Sequence, residues 1–319
     1  SDHSNENFFS AKLEQDKIKK TAAIVAAGPT LDFSIEEIKR GDFFVISTDT
    51  AFGTLIQNSI VPDAVINIDA QHISSEHFFC TGEETKTTFV FDLCSNLESV
   101  NFVYNKKNKI QFCINQHPLS FLATKNMEIT KIESGAGTVT IAAADWAKNC
   151  GFQKLKFFGA DFSYSFGKPY TKGTYLEKQF FSKSNRIIST EEKYAALMFR
   201  TELEKIHGQK NSFTTEVLKR YKKSLEDWAE KNSFKLKNGV YISERKIETK
   251  NFSAKSNFNY SEFYSQFING IKELLKNPEP EIILESNWGL SVLPILAFFK
   301  NNTLFDSLKL AYNQALRYN

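Results

Sequence analysis

The sequence predicts an α/β fold, a doubly wound and mostly parallel sheet with a helical C-terminal region. Three observations support this prediction. Short apolar runs alternate with helical segments between Ala22 and Phe158. A glycine-proline turn directly follows the first apolar run, and a segment rich in glycine and hydroxyl groups precedes an alanine-rich helix. Short strands that alternate with helices are typical of a parallel sheet covered on both faces.

The apolar runs and the segments between them define the elements in chain order. The runs predict strands at Ala22–Ala26, Phe43–Ser47, Ala64–Ile68, Thr88–Asp92, Ile110–Ile114 and Lys154–Phe158. Helices are predicted between them at Ser34–Arg40, Ala51–Asn58 and Val139–Asn149. Further along, the patterns predict helices at Glu191–Ile206, Thr215–Lys231, Ser261–Leu275 and Asn301–Arg317, with one strand at Val240–Ile242. We therefore expect a polar N-terminal segment or helix over residues 1–20, a Rossmann-like nucleotide-binding core over residues 21–178 and a mainly helical region over residues 179–319.

Composition limits the classes of function. The chain has 319 residues, 41% of them hydrophobic, with 40 basic and 37 acidic side chains and a net charge of +3. This near balance of charge does not favour a nucleic-acid partner. The four cysteines form no C-x-x-C pair, which favours reduced thiols in a cytoplasmic protein without a zinc site. No apolar run reaches the ~18 residues of a membrane span, so none is expected.

The first strand ends at Gly28-Pro29-Thr30, which is the most informative turn of the chain. Glycine permits a close approach of the backbone to a ligand, and proline fixes φ. Thr30 can cap a following helix, whose free N–H groups suit a phosphate. The alternative is a tight turn without a ligand, because the motif is not a full dinucleotide fingerprint.

Polar residues follow most of the predicted strands. Ligands of doubly wound sheets bind beyond the carboxyl ends of the strands, so these residues are expected to share one rim. Asp49, Asp69 and Asp161 are candidates to position ribose or sugar hydroxyls, together with Gln71. Asp49 could instead cap the next helix, and paired carboxylates could bind Mg²⁺ beside a diphosphate. The candidate acid or base groups are His117, Tyr164 and Asp161, with a loop histidine of no catalytic role as the alternative for His117.

The segment Ser134-Gly135-Ala136-Gly137-Thr138 precedes the alanine-rich helix. Two glycines and two hydroxyls at the start of a helix make a natural anion cradle. Its alternative is a capped helix start that packs closely on the sheet. The turn at Gly28 and this segment together predict a phosphate-bearing ligand.

Five blocks in the same order resemble the motility-accessory-factor type of glycosyltransferase, a family grouped with archaeal 6-hydroxymethylpterin diphosphokinase-like proteins. The resemblance covers about residues 22–175 and rests on Ala26–Leu31, Thr48–Ala51, Val61–Asp63 with Asp69–Gln71, Ser134–Val139 and Gly159–Lys168. Two departures stand out. Ala136 replaces a glycine of the fourth block, and Ser243-Glu244-Arg245-Lys246 lacks both glycines of a downstream T-E-G-G stretch.

The resemblance implies a sialyltransferase-like fold and transfer of a nonulosonic acid, such as pseudaminic or legionaminic acid, from a CMP-activated donor to Ser or Thr of flagellin. Neither a metal nor another cofactor is firmly implied. One alternative is an ATP-dependent diphosphokinase with Mg²⁺ on Asp49, Asp69 or Asp161. The other is a non-catalytic nucleotide-binding module. The donor site is expected to consist of Gly28, Pro29, Thr30, Ser134, Gly135, Gly137 and Thr138.

Overall fold

The structure, a computed structural model, describes residues 13, 15–82, 86–125, 127, 129–208, 211–247, 259–298 and 302–318. The described residues form two compact units. One lies within residues 1–115 and 130–252, and the other lies within residues 116–129 and 253–319. The large sheet belongs to the first unit, and the predicted α/β fold is confirmed.

Twelve strands lie in the described part of the chain. They are β1 Thr21–Val25, β2 Phe43–Thr48, β3 Ala64–Asn67, β4 Thr88–Asp92, β5 Lys109–Ile114, β6 Thr130–Lys131, β7 Lys154–Phe158, β8 Tyr164–Ser165, β9 Glu204–Lys205, β10 Ser212–Thr214, β11 Phe234–Lys237 and β12 Val240–Ser243. The main sheet has the order β11-β12-β7-β1-β2-β3-β4-β5-β6. Strands β1 to β7 are parallel, whereas β12 pairs antiparallel with β7, and β11 pairs antiparallel with β12. A small antiparallel sheet has the order β8-β10-β9.

The helices of the described part connect and cover these strands. They are α1 Gln15–Ile18, α2 Ile35–Arg40, α3 Asp49–Gln57, α4 Leu97–Asn105, α5 Pro118–Ala123, α6 Val139–Cys150, α7 Tyr175–Ser182, α8 Thr190–Met198, α9 Glu216–Lys231, α10 Tyr260–Lys276, α11 Pro280–Glu285, α12 Asn287–Phe298 and α13 Leu304–Ala315. Short 3-10 turns occupy Pro29–Phe33, His72–Phe78 and Leu316–Tyr318. None of the helices within the described ranges is long and apolar enough to cross a membrane.

The strand β1 is buried on both faces because helices cover the sheet on each side. Ala22 and Ile24 pack with the alanines of α6 and with α9. Ala23 and Val25 point to the opposite face and pack with Leu31 and with residues of α2 and α3. The small side chains of α6 let its backbone lie close to the strands. A continuous apolar strand is therefore what this central position requires.

The order of the strands reverses at β1. The chain proceeds from β1 outward to β6 and then returns to form β7 on the other side of β1. The connection after β1 leads to α2 and then to β2, whereas the connection after β7 leads to β8 of the small sheet. Such a reversal leaves a crevice outside the strand ends, where ligands of doubly wound sheets bind.

The sheet extends beyond the predicted core boundary at residue 178. The predicted strand Val240–Ile242 is present as β12, and it pairs with β7 next to β11. Asn238 and Gly239 both have positive φ and join β11 to β12, which is the conformation that a two-residue hairpin turn needs. The Asn-Gly pair was the available sequence signal for this hairpin.

Two other predicted segments differ from the structure. The helix predicted at Glu191–Ile206 ends at Met198 as α8, because Glu204 and Lys205 pair with β10 instead. In the predicted N-terminal segment, residues 15–18 form α1. Residues 1–12 and 14 lie outside the described residues.

The second unit is helical and has its own apolar core. Residues of α10, α11, α12 and α13 contribute to it, with Ile271, Val292 and Leu308 fully buried. Helix α12 also packs against α5, which comes from the earlier chain segment. The helical character predicted for the end of the chain is therefore present within residues 259–298 and 302–318.

A buried carboxylate joins α6 to α9 in the first unit. Asp145 is 1% exposed and accepts hydrogen bonds from Glu133 N at 3.0 Å, Asn149 Nδ2 at 3.1 Å and Trp228 Nε1 at 2.9 Å. Lys148 Nζ lies 2.5 Å from the same carboxylate. A buried charge is stable only when donors satisfy it, and here four donors converge on one side chain.

We expect Asp145→Ala to destabilise the protein by about 3 kcal/mol, because it leaves a half-buried ammonium and a buried indole N–H without their partner. Urea unfolding followed by fluorescence measures this change. The matched control is Asp227→Ala, which removes an exposed ion pair with Lys223 and should leave the midpoint close to that of the wild type. Equal midpoints for both variants would contradict the proposed role of Asp145.

Candidate functional site

A cavity of about 280 Å³ lies at the carboxyl ends of β1 and β7, where the strand order reverses. Four parts of the first unit form its walls: the residues that follow β1, the residues around the end of β2, the start of α6 and the segment after β7. Helix α9 closes the remaining side with Leu218 and Tyr221. The position is the one expected for a ligand of this class of sheet.

The ends of β1 and β7 touch through their backbones. Gly28 N donates to Gly159 O at 2.8 Å. A Cβ atom placed on Gly28 would lie 2.5 Å from Gly159 O and 2.7 Å from Asp161 Cγ. Since real Cβ atoms do not approach so closely, any larger residue at position 28 would force these two strand ends apart.

The carboxylate of Asp161 holds the turn that follows β1. Thr30 N donates to Asp161 Oδ2 at 2.8 Å, and Thr30 Oγ1 donates to Asp161 Oδ1. Burial raises the pKa of Asp161, while the two hydrogen bonds from Thr30 oppose this rise. The prediction that Thr30 caps a following helix is therefore wrong. Pro29 begins a 3-10 turn, and the hydroxyl of Thr30 bonds to the loop after β7.

The start of α6 forms the opposite wall. Thr138 is the N-cap of α6, and its Oγ1 accepts from Thr140 N at 3.3 Å. Gly137 has φ +92°, and no atom lies within 4 Å of a Cβ built on it, so its backbone faces open space. Ser134 is buried and bonds through its hydroxyl to Asn115, which places it beneath the loop. Gly137 and Thr138 thus line the cavity, and Ser134 supports the segment from below.

Helix α9 is a wall of the site that the sequence analysis missed. Ser224 Oγ accepts from Ala136 N at 3.0 Å and so fixes the loop before α6 against α9. Leu218, Tyr221, Leu225 and Trp228 recur every three or four residues, which marks the face of α9 that turns toward the sheet. The available signal was this periodicity, combined with the tyrosine at its N-terminal end.

Three tyrosines, Tyr164, Tyr170 and Tyr221, bring phenol groups to the cavity. Burial raises the pKa of Tyr164, and burial together with nearby phenols and Asp49 raises the pKa of Tyr170 to about 12. Both phenols therefore keep their proton at neutral pH. They can donate hydrogen bonds to an anion, and neither is suited to remove a proton from a substrate.

The charge of the cavity is unusual for a site that is expected to bind phosphate. Its walls, as far as the described residues form them, contain no lysine, arginine or histidine, and Asp161 is their acidic group. Positive potential comes instead from the N-terminus of α6 and from hydroxyl and amide donors. This arrangement is suited to one singly charged phosphate group.

Asp49, Asp69 and Gln71 do not line the cavity. Asp49 is 2% exposed, and its carboxylate accepts from Thr50 N at 2.6 Å and from Asn67 Nδ2 at 2.7 Å. Thr48, rather than Asp49, caps α3. Asp69 Oδ1 accepts from Gln71 N at 2.9 Å in the turn after β3. The predicted residues that line the cavity are Gly28, Gly137, Thr138, Asp161 and Tyr164. The predicted residues that do not line it include Pro29, Thr30, Asp49, Asp69, Gln71, Ser134 and Gly135.

His117 belongs to the second unit. It caps α5, and its Nδ1 accepts from Leu119 N at 3.2 Å. Pro118 occupies the first position of that helix, where its missing N–H costs nothing. The geometry assigns His117 a capping contact, and its role as a base stays a prediction.

The diphosphokinase alternative requires a group of Mg²⁺ ligands. In the part of the chain that the structure describes, no three His, Cys, Asp or Glu side chains converge as a metal site. The carboxylates of Asp49 and Asp161 are already directed at hydrogen-bond donors. The predicted set of Asp49, Asp69 and Asp161 therefore does not fit a magnesium centre.

We expect Thr30→Val to raise the pKa of Asp161 further, because the lost hydroxyl bond favours the ionised carboxylate. When a carboxyl group has a higher pKa in the folded state than in the unfolded state, the folded state is more stable at acid pH. This stability is lost as the pH rises through the folded pKa. The variant should therefore be closest to the wild type in stability at acid pH and should lose about 1–3 kcal/mol near neutral pH.

Carboxyl-carbon NMR titration of Asp161 and urea unfolding at several pH values measure these effects. Thr30→Ser keeps the hydroxyl and serves as the matched control. An unchanged Asp161 pKa in Thr30→Val would show that the hydroxyl does not bond to the carboxylate in solution.

The chain has relatives among known proteins and a solved structural neighbour. An uncharacterized protein from Treponema pallidum (strain Nichols) is 29% identical over 240 residues, which cover 73% of this chain and 77% of that protein. A second uncharacterized protein of the same organism is 37% identical over 68 residues, which cover 21% of this chain and 32% of that protein.

The structural neighbour is the structure of MAf glycosyltransferase from Magnetospirillum magneticum AMB-1, with a TM-score of 0.53 and 14% sequence identity. The match covers 96% of this chain and 51% of the neighbour, so the chain spans about half the length of that protein and shares its fold. The model of the 6-hydroxymethylpterin diphosphokinase MptE-like family matches residues 3–167, just over half of the chain. The chain therefore belongs to the 6-hydroxymethylpterin diphosphokinase MptE-like family.

Proposed function

We propose that this protein is a glycosyltransferase that takes a nonulosonic acid from a CMP-activated donor and transfers it to a hydroxyl group of a protein acceptor. The observation that carries the proposal is the cavity at the ends of β1 and β7. It offers a helix N-terminus and neutral hydroxyl donors but no cationic side chain from the described residues.

The charge of the ligand separates the candidate nucleotides. A CMP-sugar carries one negative charge on its phosphodiester, which the N–H groups at the start of α6 and the phenols of Tyr164 and Tyr170 can meet. ATP carries several charges, which proteins usually balance with a lysine and Mg²⁺. Since the described residues of the walls supply neither a cation nor a metal site, a nucleoside monophosphate is the better match.

The size of the cavity agrees with this assignment. Its volume of about 280 Å³ is near the lower end of ligand pockets, which occupy about 300–1,000 Å³. It can hold most of a nucleotide, and the sugar must then extend beyond it. The transferred group would thus be presented at the mouth of the cavity, where an acceptor can approach.

The likeness to the Magnetospirillum magneticum glycosyltransferase supports the same class of activity. At 14% identity the likeness concerns the fold, so the sugar, the acceptor and the CMP group are parts of this proposal. A flagellin-like acceptor and a cytoplasmic location likewise stay predictions. The chain spans about half the length of that neighbour, so the acceptor is part of this proposal.

The transfer needs two kinds of assistance. The bond between the anomeric carbon and the phosphate oxygen breaks first, and donors at the start of α6 stabilise the negative charge of the departing CMP. The acceptor oxygen then bonds to the oxocarbenium-like carbon and gives up its proton to a base. Asp161 is the carboxylate at this cavity, and its raised pKa brings it closer to the range of a general base. It keeps lone pairs beyond the two that accept from Thr30.

We expect CMP to stabilise the protein in the absence of metal. Binding at one hundred times the dissociation constant would stabilise the folded state by about 2.7 kcal/mol, which thermal unfolding detects. A panel of CMP, ATP and ATP with Mg²⁺ tests the proposal. Stabilisation by ATP only with Mg²⁺ would instead favour the diphosphokinase, and no response to any nucleotide would exclude both.

The variant Ala160→Leu adds three carbon atoms to the wall of the cavity, and position 160 does not have positive φ. We expect it to keep its unfolding temperature and to lose at least about tenfold in CMP affinity. The matched control, Ala70→Leu, adds the same group at an exposed position after β3 and should bind CMP like the wild type. Equal affinity in both variants would remove the cavity from the binding site.

A further inference from the structure

A second cavity of about 420 Å³ lies in the first unit beside the first one. Thr50, at the start of α3, lines both cavities. Tyr170 lines the first cavity and Tyr175 lines the second, and the two tyrosines are five positions apart in the chain. The two cavities therefore border on the same two segments, the start of α3 and the segment 169–175. A ligand that extends out of the first can reach the second.

One face of α7 lines the second cavity. The residues on this face are three or four positions apart, as expected of one side of a helix. Their side chains are polar, and no residue of α7 is buried. A helix face that packs against protein is normally apolar, whereas this face turns polar groups toward a concave surface. The face consists of Tyr175, Lys178, Gln179, Ser182 and, just after the helix, Lys183.

Two exposed lysines of this set have ammonium groups without a partner among the described residues. Among the described residues, neither Lys178 Nζ nor Lys183 Nζ forms an ion pair or a hydrogen bond. Two other lysines of this region are engaged, since Lys168 pairs with Asp32 and Lys193 Nζ donates to Phe180 O. Among the described residues that line this cavity, Glu76 is the acidic side chain and Lys178 and Lys183 are the lysines. Two unpaired ammonium groups at one cavity favour an anionic ligand.

The interior end of the cavity contains a histidine with an unsatisfied atom. His77 is 9% exposed, and its ring lies edge-on to Tyr175 with the centroids 4.4 Å apart. His77 Nδ1 is buried and has no hydrogen-bond partner within the described ranges. Buried polar atoms are normally satisfied, but this nitrogen has almost no accessible surface, so it lies behind the wall of the cavity and does not itself face a ligand.

We propose that the second cavity is the subsite for the carboxylate-bearing sugar of the donor, and that Lys178 and Lys183 bind its carboxylate. The inference rests on the proposed function. A nonulosonic acid carries its carboxylate on the carbon that bonds to the phosphate, so the carboxylate must lie just beyond the nucleotide. The described walls of the first cavity offer that group no cationic side chain, whereas those of the neighbouring cavity offer Lys178 and Lys183.

The test compares CMP with CMP-N-acetylneuraminic acid by isothermal titration. In Lys178→Gln/Lys183→Gln we expect affinity for the sugar nucleotide to fall about tenfold or more, and affinity for CMP to change less than twofold. The control Lys205→Gln/Lys222→Gln removes the same charge at exposed positions outside both cavities. Equal losses for both ligands, or equal effects of the two double variants, would overturn the proposal.

Cys80 provides a readout that does not depend on the nucleotide. Its thiol lines the second cavity, and burial raises its pKa, so iodoacetamide labelling is followed at alkaline pH by mass spectrometry. We expect free N-acetylneuraminic acid at millimolar concentration to slow the labelling of Cys80 and not that of half-buried Cys94, and this protection to be lost in the double lysine variant.

The outcomes separate the two proposals. Protection of Cys80 without any binding of CMP would keep the sugar subsite and reject the nucleotide assignment. Binding of CMP with no protection, and with no preference for the sugar nucleotide, would reject the subsite alone. Equal protection by inorganic phosphate or acetate would show a general anion site, such as one for an acidic acceptor, and would overturn the assignment to the sugar.

Discussion

The contact between the ends of β1 and β7 determines the rest of the site. Gly28 lies against Gly159 O, and the carboxylate of Asp161 bonds to both the amide and the hydroxyl of Thr30. This link fixes two loops that leave the sheet at the point where the strand order reverses. Because the loops are fixed to each other, the crevice outside the strands has rigid walls, which a binding site requires. The contact between the two strand ends therefore requires glycine at position 28, where a Cβ atom would clash with Gly159 O, and uses threonine at position 30, which bonds to Asp161.

Much of the sheet could be predicted from local sequence. Buried parallel strands are apolar runs, and the runs around Ile24, Val90 and Leu155 stand out against polar neighbours. The gathering of Gly28, Thr138 and Asp161 also followed from the sequence, because carboxyl ends of parallel strands meet at one edge. The positions of Asp69 and His117 could not be predicted. Asp69 turns back to the amide of Gln71, and the chain leaves the first unit at residue 115, just before His117. The contact of Asp69 is a local turn that hydrophobic periodicity does not report, and the position of His117 depends on the packing of α5 against the distant α12.

The two cavities differ in the groups that give them positive potential. In the first, the described walls have no cationic side chain, and the N-terminus of α6 and the protonated phenols line the cavity. In the second, lysines of α7 stand at the surface. Fixed dipoles act at short range and need no counterion, whereas ammonium groups on flexible stems act over a longer distance and are screened by salt. The proposed transfer, in which a phosphate group departs from the donor, is suited to the more directional of these two environments.

The second unit is assembled from two pieces of chain that are far apart in sequence. Helix α5 packs against α12, and well over a hundred residues separate them. During synthesis on the ribosome, α5 is therefore made long before its partner exists. At six residues it is too short to be stable alone, so this part of the chain stays unfolded until the final helices emerge. Premature termination after the sheet is complete would leave the apolar residues of α5 without the helix α12 against which they pack.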